Sequence, residues 1–171
     1  FCEMILKEKL LKETNSKEEK IHSLVTQIDN IYASIMRQVY FILFEKEAHK
    51  AIEKGATIGE LNKIYLNLLN EQFGDSLILP EIFQHEWKYI PHIYHTPFYC
   101  YAYAFGNLLV LSLFNEYKNQ GESFIPKYKK ILSYGGSESP EKILLEVGID
   151  IQEEKFWQGG FDLIKNLVEN L

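Results

Sequence analysis

Apolar residues recur at helical spacing along nearly the whole chain. In the first half they follow one another at gaps of three and four residues, which predicts a single buried stripe on one long helix from about residue 16 to residue 54. The members of this stripe are Leu24, Ile28, Ile31, Ile35, Val39 and Ile42. Ser16 with Glu19, and Thr57 with Glu60, have the capping-box spacing and indicate two helix starts.

The remaining pattern also predicts helices and no strands. A short helix is expected over residues 1–13 and another from Thr57 to about Phe73, whereas proline and glycine break residues 74–97. Further helices are expected from about Pro97 to Asn119 and near residues 121–133, 139–147 and 153–170. No segment alternates like a strand and none repeats another. The fold class is therefore predicted as all-α, with residues 1–171 forming a single domain.

The composition and net charge of the chain argue against two classes of binding partner. The formal net charge is −6, the isoelectric point is about 5.4, and Arg37 is the one arginine. We therefore expect neither nucleic acid nor an anionic membrane surface as a partner. The apolar stretch 98–114 is interrupted by polar residues and falls short of a membrane span. Two cysteines suit a reducing compartment, so a cytoplasmic location is expected. Because the chain opens at Phe1 rather than at Met, we also expect it to be part of a longer protein.

Residues 85–106 are unusually rich in histidine and tyrosine. Three of the five histidines and five of the eleven tyrosines lie there: His85, His92 and His95, with Tyr89, Tyr94, Tyr99, Tyr101 and Tyr103. Imidazoles and phenol hydroxyls can donate hydrogen bonds to a carbonyl oxygen or an oxyanion, and a proline-broken loop before a helix could hold several of them in place. The alternative is an aromatic core segment whose hydroxyls bond to the backbone.

A metal site within the chain is not predicted. His85-Glu86 opens like the zinc motif HExxH, but Tyr89 stands where the second histidine is needed. Cys100 lies among apolar residues and is expected to be a small buried side chain rather than a nucleophile. Arg37 is expected to pair with a carboxylate such as Glu45 or Glu3.

The tyrosine- and histidine-rich segment resembles the signature of oligoendopeptidase F, a branch of the thimet oligopeptidase group of zinc metallopeptidases. The resemblance rests on residues 87–94 (WKYIPHIY) and 97–106 (PFYCYAYAFG). It extends to Arg37-Gln38, Phe44-Glu45 with His49, Gly135-Gly136-Ser137 before Pro140, and residues 144–150. The chain thus looks like the multi-helix C-terminal part of a zincin-like oligopeptidase, with one long helix and a Pro/Tyr/His-rich substrate loop.

The resemblance also implies roles. The intact enzyme would hydrolyse short peptides with a zinc ion whose ligands lie outside this sequence, in the missing N-terminal part, so no metal ligand is assigned here and Glu3 is only a neighbour of that site. His92 and Tyr101 would be catalytic, with Tyr101 donating to the oxyanion. His92, Tyr94, Tyr101 and Tyr99 would contact substrate.

Two further expectations remain from the residues themselves. A helix from Pro97 would put Tyr101 in one cleft with His92 and Tyr94 and direct Tyr99 elsewhere. A second function class also stays open, namely a non-catalytic, all-helical module that binds a peptide or a partner helix.

Overall fold

The computed structural model describes residues 1–171 and contains helices without a single strand, which confirms the all-α prediction. The α-helices are α1 (Cys2–Glu13), α2 (Lys17–Ser34), α3 (Met36–Glu53), α4 (Ile58–Phe73), α5 (Pro91–His95), α6 (Tyr101–Gln120), α7 (Ile125–Ser133), α8 (Pro140–Leu145) and α9 (Glu154–Glu169). Three 3₁₀ segments accompany them, at Gly74–Ser76, Glu81–Tyr89 and Gly121–Phe124. None of the helices combines the length and the apolar character needed to cross a lipid bilayer.

The start of α4 follows its predicted cap. Thr57 Oγ1 accepts a hydrogen bond from the Glu60 amide at 3.3 Å, and the Thr57 amide donates to Glu60 Oε2 at 2.7 Å. Both halves of the capping box are therefore present. At the start of α2 the Glu19 amide donates to Ser16 Oγ at 3.3 Å, in line with the same spacing rule.

The predicted long helix is corrected to two consecutive helices. α2 ends at Ser34 and α3 begins at Met36, because Ile35 between them has φ −105° and ψ −71°, away from ideal helical values. The Gln38 side chain donates to the Ala33 carbonyl oxygen at 3.2 Å. A side chain that inserts into the backbone hydrogen-bond ladder is a recognised cause of such a break.

Residues 30–106 form one compact unit. Its core is built mainly by α3 and α4, which are joined by a short turn at Gly55, a glycine with φ +83°. The buried members are Phe41, Phe44, Ala48, Leu61, Tyr65, Leu69, Trp87 and Cys100. This unit contains every residue of the tyrosine- and histidine-rich segment.

Residues 1–29 together with 107–171 form a second unit. Its buried apolar cluster comprises Leu113, Phe124, Leu144, Val147 and Ile149. Phe1 stacks on Tyr128 with ring centroids 4.0 Å apart. The expectation that residues 1–171 make a single domain stays a prediction.

Candidate functional site

The 3₁₀ segment Glu81–Tyr89 is fastened to the helices beneath it by Glu86. The Glu86 carboxylate accepts from the Tyr65 hydroxyl at 2.8 Å and pairs with the Arg37 guanidinium at 2.6 Å. Burial and the adjacent carboxylate hold the pKa of Tyr65 well above its ordinary value, so this hydroxyl remains a donor. Arg37 therefore does pair with a carboxylate, but the expected partners Glu45 and Glu3 were wrong.

Beyond this anchor, α5 presents His92 to two tyrosines. The Tyr103 hydroxyl lies 3.0 Å from His92 Nε2, and the two rings meet edge to face with centroids 5.6 Å apart. Tyr99 lies parallel to the imidazole, with an interplanar angle of 5° and centroids 5.9 Å apart. Tyr99 and Tyr103 also contact each other edge to face. These three side chains, His92, Tyr99 and Tyr103, are called the His92 cluster below.

Tyr94 and Tyr101 lie outside the ring contacts of the His92 cluster. Tyr94 stacks on Trp87 with ring centroids 6.3 Å apart, and partial burial raises the pKa of its hydroxyl. Tyr101 is the first residue of α6, two positions before Tyr103, so the two side chains leave the helix in nearly opposite directions. The expectation that Tyr99 projects away from His92 is wrong, because Tyr99 stacks on its ring. The expectation that Tyr101 shares a cleft with His92 and Tyr94 stays a prediction.

The exposure of the tyrosines separates this surface from the core. Tyr94, Tyr99, Tyr101 and Tyr103 are 54%, 44%, 60% and 41% exposed, whereas Tyr65 in the core is 2% exposed. An aromatic core segment would bury such rings. Within this chain, the alternative of a core segment therefore does not describe these four residues.

A turn, rather than a helix, leads into α6, which begins at Tyr101 and not at the predicted Pro97. The Tyr99 amide donates to the Thr96 carbonyl oxygen at 3.1 Å, and Phe98 has φ +61°, a left-handed conformation. The Phe98 amide donates to Glu45 Oε1 at 2.8 Å. This turn explains the altered directions of the tyrosines, because the expected shared faces assumed helical geometry from residue 97.

Two side chains near the turn are buried. Cys100 is inaccessible to solvent, as expected for a small core residue, and burial together with the Glu45 charge raises the pKa of its thiol. Glu45 is also buried, which the sequence alone did not indicate.

The residues present do not form a zinc site. No three His, Cys, Asp or Glu side chains lie close enough together to hold one ion. His85, the first residue of the incomplete HExxH-like run, instead places Nδ1 3.0 Å from Lys88 Nζ.

Sequence reasoning did not assign a role to Tyr103 or give Glu45 a place near the loop. A signal for Tyr103 existed, since Tyr99 and Tyr103 are four residues apart and such side chains can meet over one helical turn. Glu45 had no such signal, because it meets Phe98 across 53 residues of chain.

Comparisons with known proteins relate this chain to one family of peptidases. The family model described as peptidase family M3 matches residues 1–163. An oligoendopeptidase F homolog from Borreliella burgdorferi is 33% identical over 171 residues, which cover 99% of this chain and 29% of the relative. The chain therefore spans less than a third of the length of that relative.

Solved structures agree with the fold. The crystal structure of a peptidase from Chlamydophila abortus is similar to this chain, with a TM-score of 0.89 and 36% sequence identity. The match covers 99% of this chain and 29% of the peptidase chain. That of oligoendopeptidase-F from Enterococcus faecium covers 99% of this chain and 34% of its own, with a TM-score of 0.80; at 23% identity it supports the fold alone. The matched residues run through both compact units and include the His92 cluster. The chain belongs to peptidase family M3.

Proposed function

We propose that this chain is the C-terminal, substrate-contacting part of a zinc-dependent oligoendopeptidase that hydrolyses short peptides. Membership of peptidase family M3 and the names of the relatives support the reaction class. The observation that carries the proposal is the solvent exposure of Tyr94, Tyr99, Tyr101 and Tyr103 in the segment that contains His92. The non-catalytic helical module is the less favoured alternative, since the peptidase family model matches nearly the whole chain.

The chemistry proposed for these side chains is hydrogen-bond donation. When water adds to a peptide carbonyl, negative charge develops on the oxygen, and fixed donors aimed at that position stabilise the transition state more than the ground state. Tyr101, at the exposed start of α6, is the proposed donor to this oxygen. His92 and Tyr94 are proposed to contact the peptide substrate, with Tyr99 as a further contact.

The hydrogen bond between Tyr103 and His92 bears on which ring nitrogen of His92 carries the proton. When the Tyr103 hydroxyl donates to Nε2, the ring proton of a neutral His92 lies on Nδ1, and Nδ1–H becomes the donor available to substrate. When the imidazole is charged, both nitrogens donate and the Tyr103 oxygen accepts. Tyr99, stacked on the ring, restricts its rotation in either state.

The zinc ion and the remaining part of the protein belong to the same proposal. The ligands of the ion would be supplied by residues outside this sequence, because the residues present do not fit a zinc site. A cytoplasmic location is proposed with it, supported by the two cysteines, which are both free.

The test is a set of single-hydroxyl deletions in the full-length protein, assayed with an internally quenched peptide. Tyr101→Phe should lower kcat and kcat/KM together by about 10²–10³ and leave KM nearly unchanged, as expected for a donor that acts in the transition state. Tyr99→Phe is the matched control, since it keeps the ring that stacks on His92 and should leave kcat within a few-fold. Equal, small effects of both substitutions would contradict the proposed role of Tyr101.

A further inference from the structure

Glu45 is a buried carboxylate that accepts a hydrogen bond from a backbone amide in the loop formed by residues 96–99. Its side chain lies in α3 and is 1% exposed. Oε1 accepts from the Phe98 amide at 2.8 Å, while Oε2 is buried without a hydrogen-bond partner. A buried charge with one unsatisfied oxygen lowers stability, so a hydrophobic residue of similar size would be at least as favourable for packing alone. The hydrogen bond from Glu45 to the loop therefore explains this residue better than packing does.

The loop has the features of a type II turn. The Thr96 carbonyl oxygen accepts from the Tyr99 amide, Pro97 occupies the second position, and Phe98 in the third position has φ +61°. That third position normally requires glycine or asparagine, because other residues are strained at positive φ. A type I turn would accept phenylalanine there without strain.

Glu45 can select between these two turns. Type I and type II differ by a flip of the peptide between the second and third residues, so the Pro97–Phe98 peptide presents its N–H to opposite sides in the two forms. The carboxylate accepts this N–H only in the type II form. The hydrogen bond thus opposes the strain at Phe98.

The turn is continuous with the start of α6. The Ala102 amide donates to the Tyr99 carbonyl oxygen at 2.9 Å, and the Tyr103 amide donates to that of Cys100 at 3.3 Å. A change in the turn would therefore shift the residues that stack on and bond to His92. We propose that Glu45 is a positioning residue, which sets the His92 cluster by holding the Pro97–Phe98 peptide in the type II orientation. Its effect on activity rests on the function proposed above.

The test compares four variants of the full-length protein: Glu45→Leu, Glu45→Gln, Phe98→Gly and the double variant Glu45→Leu/Phe98→Gly. Leucine removes the acceptor but fills the space, whereas glutamine keeps an acceptor oxygen. Glycine reaches positive φ without strain and so should need Glu45 less. Circular dichroism establishes that each variant is folded. If Glu45→Leu does not fold, Glu45→Met takes its place.

We expect Glu45→Leu to lower kcat/KM by about 10-fold to 100-fold, the value of a hydrogen bond to a charged group. Glu45→Gln keeps a weaker, neutral acceptor and should lose less, no more than about 10-fold. The fold-loss in kcat/KM is then compared in two backgrounds. The loss from Phe98→Gly to the double variant should be less than a third of the loss from wild type to Glu45→Leu. A merely structural carboxylate would not be rescued by a glycine in the turn. Equal losses in both backgrounds would overturn the proposal.

A crystal structure of Glu45→Leu separates this proposal from the function it rests on. We expect a negative φ at Phe98, and a retained positive φ would overturn the control of the turn by Glu45. If φ reverses but kcat/KM is unchanged, the positioning role is overturned. If Tyr101→Phe and His92→Gln are both fully active while φ reverses in Glu45→Leu, it is the proposed function that has failed, and the control of the turn by Glu45 stands.

Discussion

Trp87 donates its indole N–H to the side-chain oxygen of Asn62 at 3.0 Å, and both residues are buried. Asn62 lies in α4, whereas Trp87 belongs to the 3₁₀ segment that precedes α5. The Trp87 ring also packs against Phe44 and stacks on Tyr94. This buried hydrogen bond therefore helps to hold the 3₁₀ segment against α4, and the same indole contacts Tyr94.

Asn62→Leu should destabilise the chain by about 1–3 kcal/mol, because the Trp87 N–H would be left buried without an acceptor. Urea unfolding followed by tryptophan fluorescence measures this loss. Asn67→Leu is a matched control on the same helix, where Asn67 is exposed, and should change the free energy of unfolding by no more than about 0.5 kcal/mol. Equal midpoints for the two variants would show that the Asn62–Trp87 bond contributes nothing.

Local sequence rules predicted the parts of the fold whose causes are local. The cap at Thr57 and Glu60 forms as expected, because both partners lie within one turn of the same helix. Cys100 is buried as its apolar neighbours indicated. The concentration of tyrosine and histidine marked the segment that the structure exposes at the surface, although composition could not state which rings meet.

Features set by distant residues could not be read in this way. The start of α6 depends on Glu45, 53 residues before Phe98, and no local pattern links the two. Arg37 finds Glu86 across 49 residues for the same reason. The break at Ile35 was missed because the apolar stripe continues through it, and neither proline nor glycine marks the position.

Gly160 should not tolerate alanine. A Cβ atom there would lie 2.7 Å from Ser112 Oγ, 3.0 Å from a Leu108 methyl group and 3.3 Å from the Leu108 carbonyl oxygen, so backbone as well as side chains would have to move. We expect Gly160→Ala to lower the free energy of unfolding by about 1–3 kcal/mol despite the better helix propensity of alanine. Thermal or urea denaturation measures the change.

Gly159→Ala provides the comparison for Gly160→Ala. The three atoms nearest to its Cβ would all belong to the Asn115 side chain, the nearest being Nδ2 at 2.4 Å, and that side chain can rotate away. The loss should therefore be smaller than for Gly160→Ala. If Gly159→Ala is the more harmful of the two, close packing of Gly160 against Leu108 and Ser112 is not what excludes a side chain.

The two cysteines should differ in reactivity. Cys2 is exposed and Cys100 is fully buried, so a thiol reagent at pH 8 should label Cys2 quickly and Cys100 only when the protein opens.

Burial and the Glu45 charge raise the pKa of Cys100, which keeps its proton to higher pH in the folded state than in the unfolded state. The contribution of this group to stability is therefore complete below the unfolded thiol's pKa of about 8.5 and is lost as pH rises beyond it. Cys100→Ala should abolish the slow labelling phase and flatten the fall in stability between pH 8 and pH 10, whereas Cys2→Ala should abolish only the fast phase. Rapid labelling of both thiols in the folded protein would contradict the buried position of Cys100 beside Glu45.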